Sequence, residues 1–354
     1  MKVNKLSLQN FRNIEKTEIE PCEGMNVICG ENAQGKTNIL EAIWLFTGAK
    51  SFRCSKDNLF VKFGCEKAVC NLSFMAEGIE KEAEIVVKEK RMASLNGNNL
   101  KSPSGLAGVF NAIVFSPNDL RLVTDGPNVR RKFLDIALGQ LYPSYIDVLR
   151  KYTRAVTQRN RLIKDYKYDS TVGIMLDVFE EEIATEGKKL IEYRKRYINT
   201  LNKFLPTVYD GISCGKEILE TSYICNSENE DLINLLFDAR KEDMYSGVTS
   251  VGPHRDDIEF KINGILARNF GSQGQKRSVA LSLKLAEAEV IRENVGECPS
   301  FLLDDIMSEL DPNRQNFILN HINGMQTFLT CCDPDNFKNL QAGKIFNVKE
   351  GKVY

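Results

Sequence analysis

The chain has no excess of either charge: 47 Lys and Arg stand against 48 Asp and Glu, a formal net charge of -1. Any nucleic-acid surface must therefore be a local patch and not a uniformly basic face. No apolar run reaches the roughly 20 residues that cross a bilayer, so no membrane partner is expected. The opening stretch MKVNKLSLQNFRNIE alternates apolar and polar residues as a strand does, and it lacks the apolar core of an export signal. Ten cysteines occur without CxxC spacing, so reduced, packed thiols in a cytoplasmic protein are expected. The one adjacent pair, Cys331 and Cys332, reads as part of a core strand. Repeats, low-complexity tracts, zinc fingers, helix-turn-helix patterns and RNA-binding signatures are all missing, which disfavours sequence-specific base readout.

What remains is an ordinary globular composition, 42% hydrophobic and 27% charged, in 354 residues. That length predicts a large α/β domain carrying an insertion. In the stretch MNVICGENAQGKTNILEAIWLF, Met25 to Cys29 reads as a buried strand, Gly30 to Thr37 fits GxxxxGK[ST], and a helix follows from Asn38. A chance match in a chain this long is expected about once in a hundred. The loop Gly30, Glu31, Asn32, Ala33, Gln34, Gly35, Lys36 and Thr37 would wrap the phosphates of a nucleotide; the other reading is a structural turn. Lys36 reaches the β/γ oxygens and the Thr37 hydroxyl ligates Mg²⁺.

A second stretch, CPSFLLDDIMSELDPNRQNFI, runs an apolar strand into Asp304 and Asp305. Carboxylates at the C-terminal end of a buried strand stand where open α/β sheets place ligand chemistry. Asp304 is assigned to Mg²⁺, and Asp305 to orienting or deprotonating the attacking water. The other reading is a strand that ends in a capped turn.

A third stretch, FGSQGQKRSVALSLKLAEAEV, places a glycine-rich turn at the start of a long helix, a geometry suited to an anion. Here the sequence resembles ABC-type ATPases, whose Ser-x-Gly-Gln signature matches Ser272, Gln273, Gly274 and Gln275. In such proteins the signature closes on nucleotide bound by a second copy. SELD, with Ser308 and Asp311, matches the D-loop of the same interface. The resemblance thus implies an ATP-dependent homodimer. By the same resemblance Arg12 contacts nucleotide phosphate; an ordinary surface Arg is the alternative.

Several segments resemble the RecF family of bacterial recombination-repair ATPases, relatives of SMC proteins: LSLQNFRNIE, GENAQGKTNILEAI, KSFR, VFSPNDLRLV, RRKFLD, VGPHRDD, GSQGQKR and LLDDIMSELD. The resemblance implies a protein of DNA damage and the SOS response that binds gaps and junctions and helps RecO and RecR load RecA. It implies weak, DNA-stimulated ATP hydrolysis that releases the dimer. Asp305 stands where a catalytic Glu is usual, Thr330 and Cys331 at the end of TFLTCC stand where transporters carry a switch histidine, and no Q-loop glutamine follows Phe115. These departures fit a slow clamp. Alternatives are a transport-coupled ABC ATPase and an ATP-gated nuclease.

The expected architecture is an ABC-type P-loop ATPase head with a mixed sheet and accessory antiparallel strands, plus an inserted helical arm domain. The segments expected are 1–125, 126–245 and 246–354. Asn-Gly in ASLNGNNL and in FKINGILA predicts two hairpins. Ile183, Leu190, Tyr197 and Phe204 recur at heptad spacing with Leu201 beside them, which reads as a paired-helix arm or as a bundle packed on the sheet. Arg130, Arg131, Lys132, Arg150, Lys151 and Arg154, with Arg159 and Arg194 further on, read singly as solvated helix faces and together as a track for the DNA backbone. His254 in GPHRDD is either part of an interface or DNA sensor, or lies in a turn where Asp256 holds Arg255. His321 reads as a helix-surface residue.

Overall fold

The computed structural model describes residues 1–54, 56–165, 172–227, 231–332 and 343–354. They form two compact units: Met1–Leu120, Thr207–Lys216 and Ala280–Tyr354 make the first, and Arg121–Pro206 with Glu217–Val279 make the second. These units are drawn differently from the expected segments, because residues 246–279 group with the helical insertion.

The first unit holds two six-stranded sheets. In the parallel one, Gly343–Lys349, Met25–Cys29, Thr327–Cys331, Ser300–Leu303 and Ala112–Phe115 lie side by side, with Lys352–Val353 antiparallel at the edge. Its central strands are buried along their length and read as continuous apolar runs, as a sheet covered on both faces requires. The second sheet is wholly antiparallel and begins with Ile14–Ile19, Lys2–Phe11 and Ala68–Ala76. It ends with the hairpin Arg91–Leu95 and Asn98–Asn99, joined through Asn96 and Gly97, both at positive φ. That turn is the Asn-Gly hairpin expected from sequence.

The helix Lys36–Leu45 is buried nearly all round and touches strands of both sheets. Its Ile39, Leu40, Ile43 and Trp44 are therefore core residues, and the phosphate loop before it is anchored to a rigid element. Gln326 joins the two sheets: its side-chain amide accepts from the Val3 N–H at 2.6 Å and donates to the Val3 carbonyl at 2.9 Å.

The second unit contains the helices Pro127–Leu141, Pro143–Asp165 and Val172–Ser213, the last shared with the first unit, and a three-stranded antiparallel sheet. The second Asn-Gly hairpin, Asp257–Ile262 with Ile265–Leu266, belongs to this sheet. The helices Pro143–Asp165 and Val172–Ser213 run antiparallel: Tyr145 meets Arg194, Arg159 meets Glu180, and Ile163 packs with Leu176. Ile183, Leu190, Tyr197 and Leu201 are buried and Phe204 is half-buried, so the heptad stripe is the packed face. Pro127–Leu141 packs against both Pro143–Asp165 and Asp257–Ile262, and so lies between the helical hairpin and the three-stranded sheet. No helix among the described residues is long and apolar enough to cross a membrane.

Candidate nucleotide-binding site

The phosphate loop connects the strand Met25–Cys29 to the helix that starts at Lys36, two residues earlier than the sequence suggested. Two glycines make its path possible. A Cβ at Gly30 would stand 2.3 Å from the Val348 carbonyl oxygen, and one at Gly35, where φ is 113°, would stand 2.7 Å from Asn13 Oδ1. Ala33 also adopts a left-handed φ of 66°.

Lys36 is buried, and its ammonium donates to the carbonyls of Gly30 and of Glu31, the latter at 3.0 Å. Among the described residues it has no carboxylate partner within ion-pair distance. A buried ammonium resting on neutral carbonyls is poised for an anion that binds at the loop.

Thr37 and Asp304 meet although 267 residues separate them: the Thr37 hydroxyl donates to Asp304 Oδ1 at 2.7 Å. The Thr330 hydroxyl also donates to Asp304 Oδ1, at 3.1 Å, and accepts the Asp305 N–H at 2.8 Å. Burial pushes the Asp304 carboxyl above its ordinary range, and the bonds from Thr37 and Thr330 oppose that shift. Asp305 is exposed and sits at a left-handed φ of 54°, which turns its side chain out of the strand path. A hydroxyl and a buried carboxylate form the hard-oxygen donor set that suits Mg²⁺, which takes few protein ligands and completes its shell with phosphate oxygens and water. The residues present fit that ion.

Two supporting elements carried no sequence signal. Asn13 donates to the Gln34 carbonyl at 3.0 Å and accepts from Asn38 Nδ2 at 2.8 Å. From the other end of the chain, the Gly351 N–H donates to the Gln34 carbonyl at 3.0 Å and the Glu350 N–H to Gln34 Oε1 at 2.5 Å. Backbone contacts of this kind depend on conformation and leave no residue pattern. Thr330 was legible only as a missing histidine.

Arg12 is placed beside this loop's helix but is engaged by it. Its Nε and Nη2 grip the buried Glu41 at 2.9 Å each, and Nη1 donates to the Leu59 carbonyl at 2.9 Å. In the second unit, Ser272 and Gln275 form a capping box: the Ser272 N–H donates to Gln275 Oε1 at 2.7 Å and the Gln275 N–H to Ser272 Oγ at 3.2 Å. Gln273 is exposed and Gly274 half-buried. Ser308 is exposed and donates to the Asp305 carbonyl at 2.9 Å, while Asp311 caps the helix Pro312–His321 by accepting from the Arg314 N–H.

The basic track is corrected. Arg130 is buried in a bidentate pair with Asp257, at 2.6 and 2.9 Å, and Arg159 and Arg194 are also buried in ion pairs. Charged groups consumed by carboxylates inside a fold cannot meet a phosphate backbone, and periodicity does not distinguish them from surface charges. Arg131 is half-buried and donates to the Asp256 carbonyl. Lys132, Arg150, Lys151 and Arg154 are exposed. In GPHRDD, Asp256 accepts from Tyr223 and from the Asn226 N–H, and Arg255 instead binds the Thr249 carbonyl. His254 Nε2 lies 3.0 Å from that carbonyl, which can only accept, so Nε2 bears the proton and Nδ1 accepts from Tyr152 at 2.6 Å. Burial lowers this histidine to about 4. His321 stacks on Phe317 and is half-buried.

A glycine-rich loop with a buried Lys, a hydroxyl bonded to a strand-end carboxylate, and parallel strands beside an antiparallel sheet define a P-loop ATPase head of the ABC and SMC kind. Residues 2–352 match the family described as RecF/RecN/SMC N terminal domain. The chain is 38% identical over 362 residues to the DNA replication and repair protein RecF of Clostridium acetobutylicum, spanning 100% of this chain and 99% of that one. Against the RecF of Agathobacter rectalis the identity is 39% over 359 residues, with the same coverage. The chain belongs to the RecF family. A solved structure of the recombination mediator protein RecF-ATP of the RecFOR pathway matches with a TM-score of 0.93 at 36% identity, covering 100% of this chain and 97% of that one. A RecF-ATPrS structure matches at 0.92, again at 36% identity, covering 99% and 97%. An Smc head domain derived from Pyrococcus furiosus, at a TM-score of 0.58 and 18% identity over 100% and 96% of the two chains, shares the fold alone.

Proposed function

We propose that this chain is a DNA recombination and repair ATPase that binds ATP and Mg²⁺ and closes as a homodimer on gapped or junction DNA, where it works with RecO and RecR. The observation that carries this reading is the 2.7 Å bond from Thr37 to Asp304, which joins the phosphate loop and the acidic strand into one site. Lys36 exchanges two neutral carbonyls for the β/γ oxygens of ATP, and Thr37 and Asp304 hold the metal. Bound Mg²⁺ supplies neutralisation of the phosphate charge. Asp305, at the exposed strand end, orients and deprotonates the attacking water. Its reach is shorter than that of a Glu, which favours slow turnover and a long-lived dimer.

Signature residues Ser272, Gln273, Gly274 and Gln275 face the nucleotide of the second copy, and Ser308 and Asp311 line the same contact. In the single chain the Ser272 hydroxyl and the Gln275 side chain satisfy the start of their own helix, so they are pre-positioned without a ligand. Lys132, Arg150, Lys151 and Arg154 supply phosphate contacts that ignore base identity.

Fluorescence anisotropy of a labelled gapped duplex, titrated with protein in ATP, ADP and no nucleotide, tests the reading. Tight binding only with ATP is expected, with a log-log salt slope steepening by about 0.9 per phosphate contacted. Ser272→Arg should retain ATP and lose pairing in sedimentation. Binding indifferent to nucleotide, or a mutant that pairs normally, would return the dimer and its DNA role to analogy. Cleavage of the duplex would support the nuclease alternative.

A further inference from the structure

Three thiols lie beneath the phosphate loop and take no part in the ATP chemistry above. Cys29 ends the strand Met25–Cys29 and Cys331 ends Thr327–Cys331, and the two are register partners in the parallel sheet. Their Sγ atoms stand 3.0 Å apart. Register partners on neighbouring strands project to the same face, and strands lie about 4.8 Å apart, within the 4.4–6.8 Å that a disulfide spans between Cα atoms. Cys332, the next residue, is exposed, with its Sγ 3.5 Å from Lys36 Nζ and 3.2 Å from Asn32 Oδ1.

We propose that Cys29 and Cys331 form an oxidisable pair that gates the nucleotide site: a hydroperoxide converts them to a disulfide, and the disulfide weakens ATP binding. The gating half rests on the ATP reading above. In the first step one thiolate attacks the O–O bond of hydrogen peroxide, giving a sulfenic acid and, with one proton, water. The second thiol then displaces the sulfenic hydroxyl as water and forms the S–S bond. Two thiols lose two electrons in all, and the peroxide is reduced to two waters.

The consequence follows from what is attached to each sulfur. Bond formation draws the sulfurs from 3.0 Å to about 2.05 Å. Cys29 is followed by Gly30, whose carbonyl holds Lys36 and whose Cα faces the Val348 carbonyl with no room for even a methyl group. Cys331 is followed by Cys332, which also touches Lys36. The new bond therefore pulls at the Gly30 carbonyl and at Cys332, two of the groups that contact the ammonium ATP needs. Hydrogen bonding to Cys29, together with burial, holds the Cys331 thiol well above its usual range. Oxidation is accordingly slow at neutral pH and faster as pH rises.

The full-length protein would be treated with hydrogen peroxide, quenched, and divided between non-reducing peptide mapping and titration with a fluorescent ATP analogue, before and after dithiothreitol. Wild type should yield a Cys29–Cys331 linked peptide and bind the analogue at least about tenfold more weakly, the equivalent of losing one charged hydrogen bond, with recovery on reduction. Cys29→Ala should keep its own reduced affinity after peroxide, and Cys331→Ala serves if that variant fails to fold. Cys332→Ser should switch as wild type does. A linked peptide with unchanged affinity, the absence of a linked peptide, or a peroxide-resistant Cys332→Ser would each overturn the proposal. Reduced protein that binds no nucleotide would overturn the ATP reading and the gating together, and the linked peptide would still decide the pairing.

Discussion

Lys36 and Arg159 are both buried cations, and they are held in opposite ways. Lys36, in the unit with the parallel sheet, rests on two backbone carbonyls. Arg159, fully buried in the helical unit, is gripped by Glu180 at 3.0 Å, by Asp243 at 2.6 Å, by Thr249 and by the Leu236 carbonyl. Asp304 differs in the same way from Asp257, since hydroxyls hold the first and an Arg holds the second. A charge satisfied by an opposite charge is part of the framework. One held by neutral groups keeps its attraction for a ligand, at the expense of the empty protein's stability.

Arg159→Leu should break this comparison most severely. It strands Asp243 in the interior, while Glu180 keeps its pair with Arg240, and should lower unfolding free energy by about 3–5 kcal/mol in urea titrations. A loss below 1 kcal/mol would mean that the network is not a framework element.

His254 sharpens the helical side through pH. Its folded value near 4 lies below the ordinary 6.5, so it stabilises the fold fully above pH 6.5 and loses that contribution as pH falls through 4. The loss amounts to about 3 kcal/mol at most. His254→Gln should flatten the thermal stability profile between those pH values, and an unchanged slope would count against a neutral, buried imidazole.

On the nucleotide side, Lys36→Ala should weaken ATP binding by roughly ten- to a hundredfold, the equivalent of about 1.5–3 kcal/mol for a charged hydrogen bond, as measured by calorimetry. Its folding should change little, because no opposite charge is left stranded among the described residues.

Asp304→Asn should separate the two roles. Burial raises the Asp304 carboxyl, so its ionisation opposes folding: the penalty is absent at and below the unfolded value of 3.8 and grows as pH rises through the elevated folded value. At neutral pH the variant should be more stable without ligand by about 0.5–2 kcal/mol, yet gain nothing from Mg²⁺ and ATP in thermal shift. A destabilised variant would mean that Asp304 is structural. The smallest effect is expected from Ser272→Ala, which removes a helix cap and should cost about 1 kcal/mol.

Much of the first region was legible because its motifs are local, and so was one hairpin of the second. The phosphate loop, the strand ends at Asp304 and Asp305 and the Asn-Gly turns of both units are short stretches whose backbone path constrains residue type. The basic track was only partly legible. Arg130, Arg159 and Arg194 share the spacing and composition of the exposed Lys132, Arg150, Lys151 and Arg154, and burial separates the two groups. The Thr330 bridge between the Asp304 carboxylate and the Asp305 N–H, the Asn13 bond to the loop, and the support of Gln34 by Glu350 and Gly351 are contacts between distant segments.

By itself, then, the sequence determined which segment would form a glycine-rich loop between strand and helix, which strand would end in acid and where the hairpins would turn. In those places glycine freedom, apolar runs and turn chemistry act within a few residues. Which charges stay available, how Thr37 comes to face Asp304, and that Cys29 and Cys331 lie sulfur to sulfur were decided only by the tertiary structure. Those facts depend on which strands become neighbours and which side chains lose water, and sheet order and burial are properties of the whole packed chain.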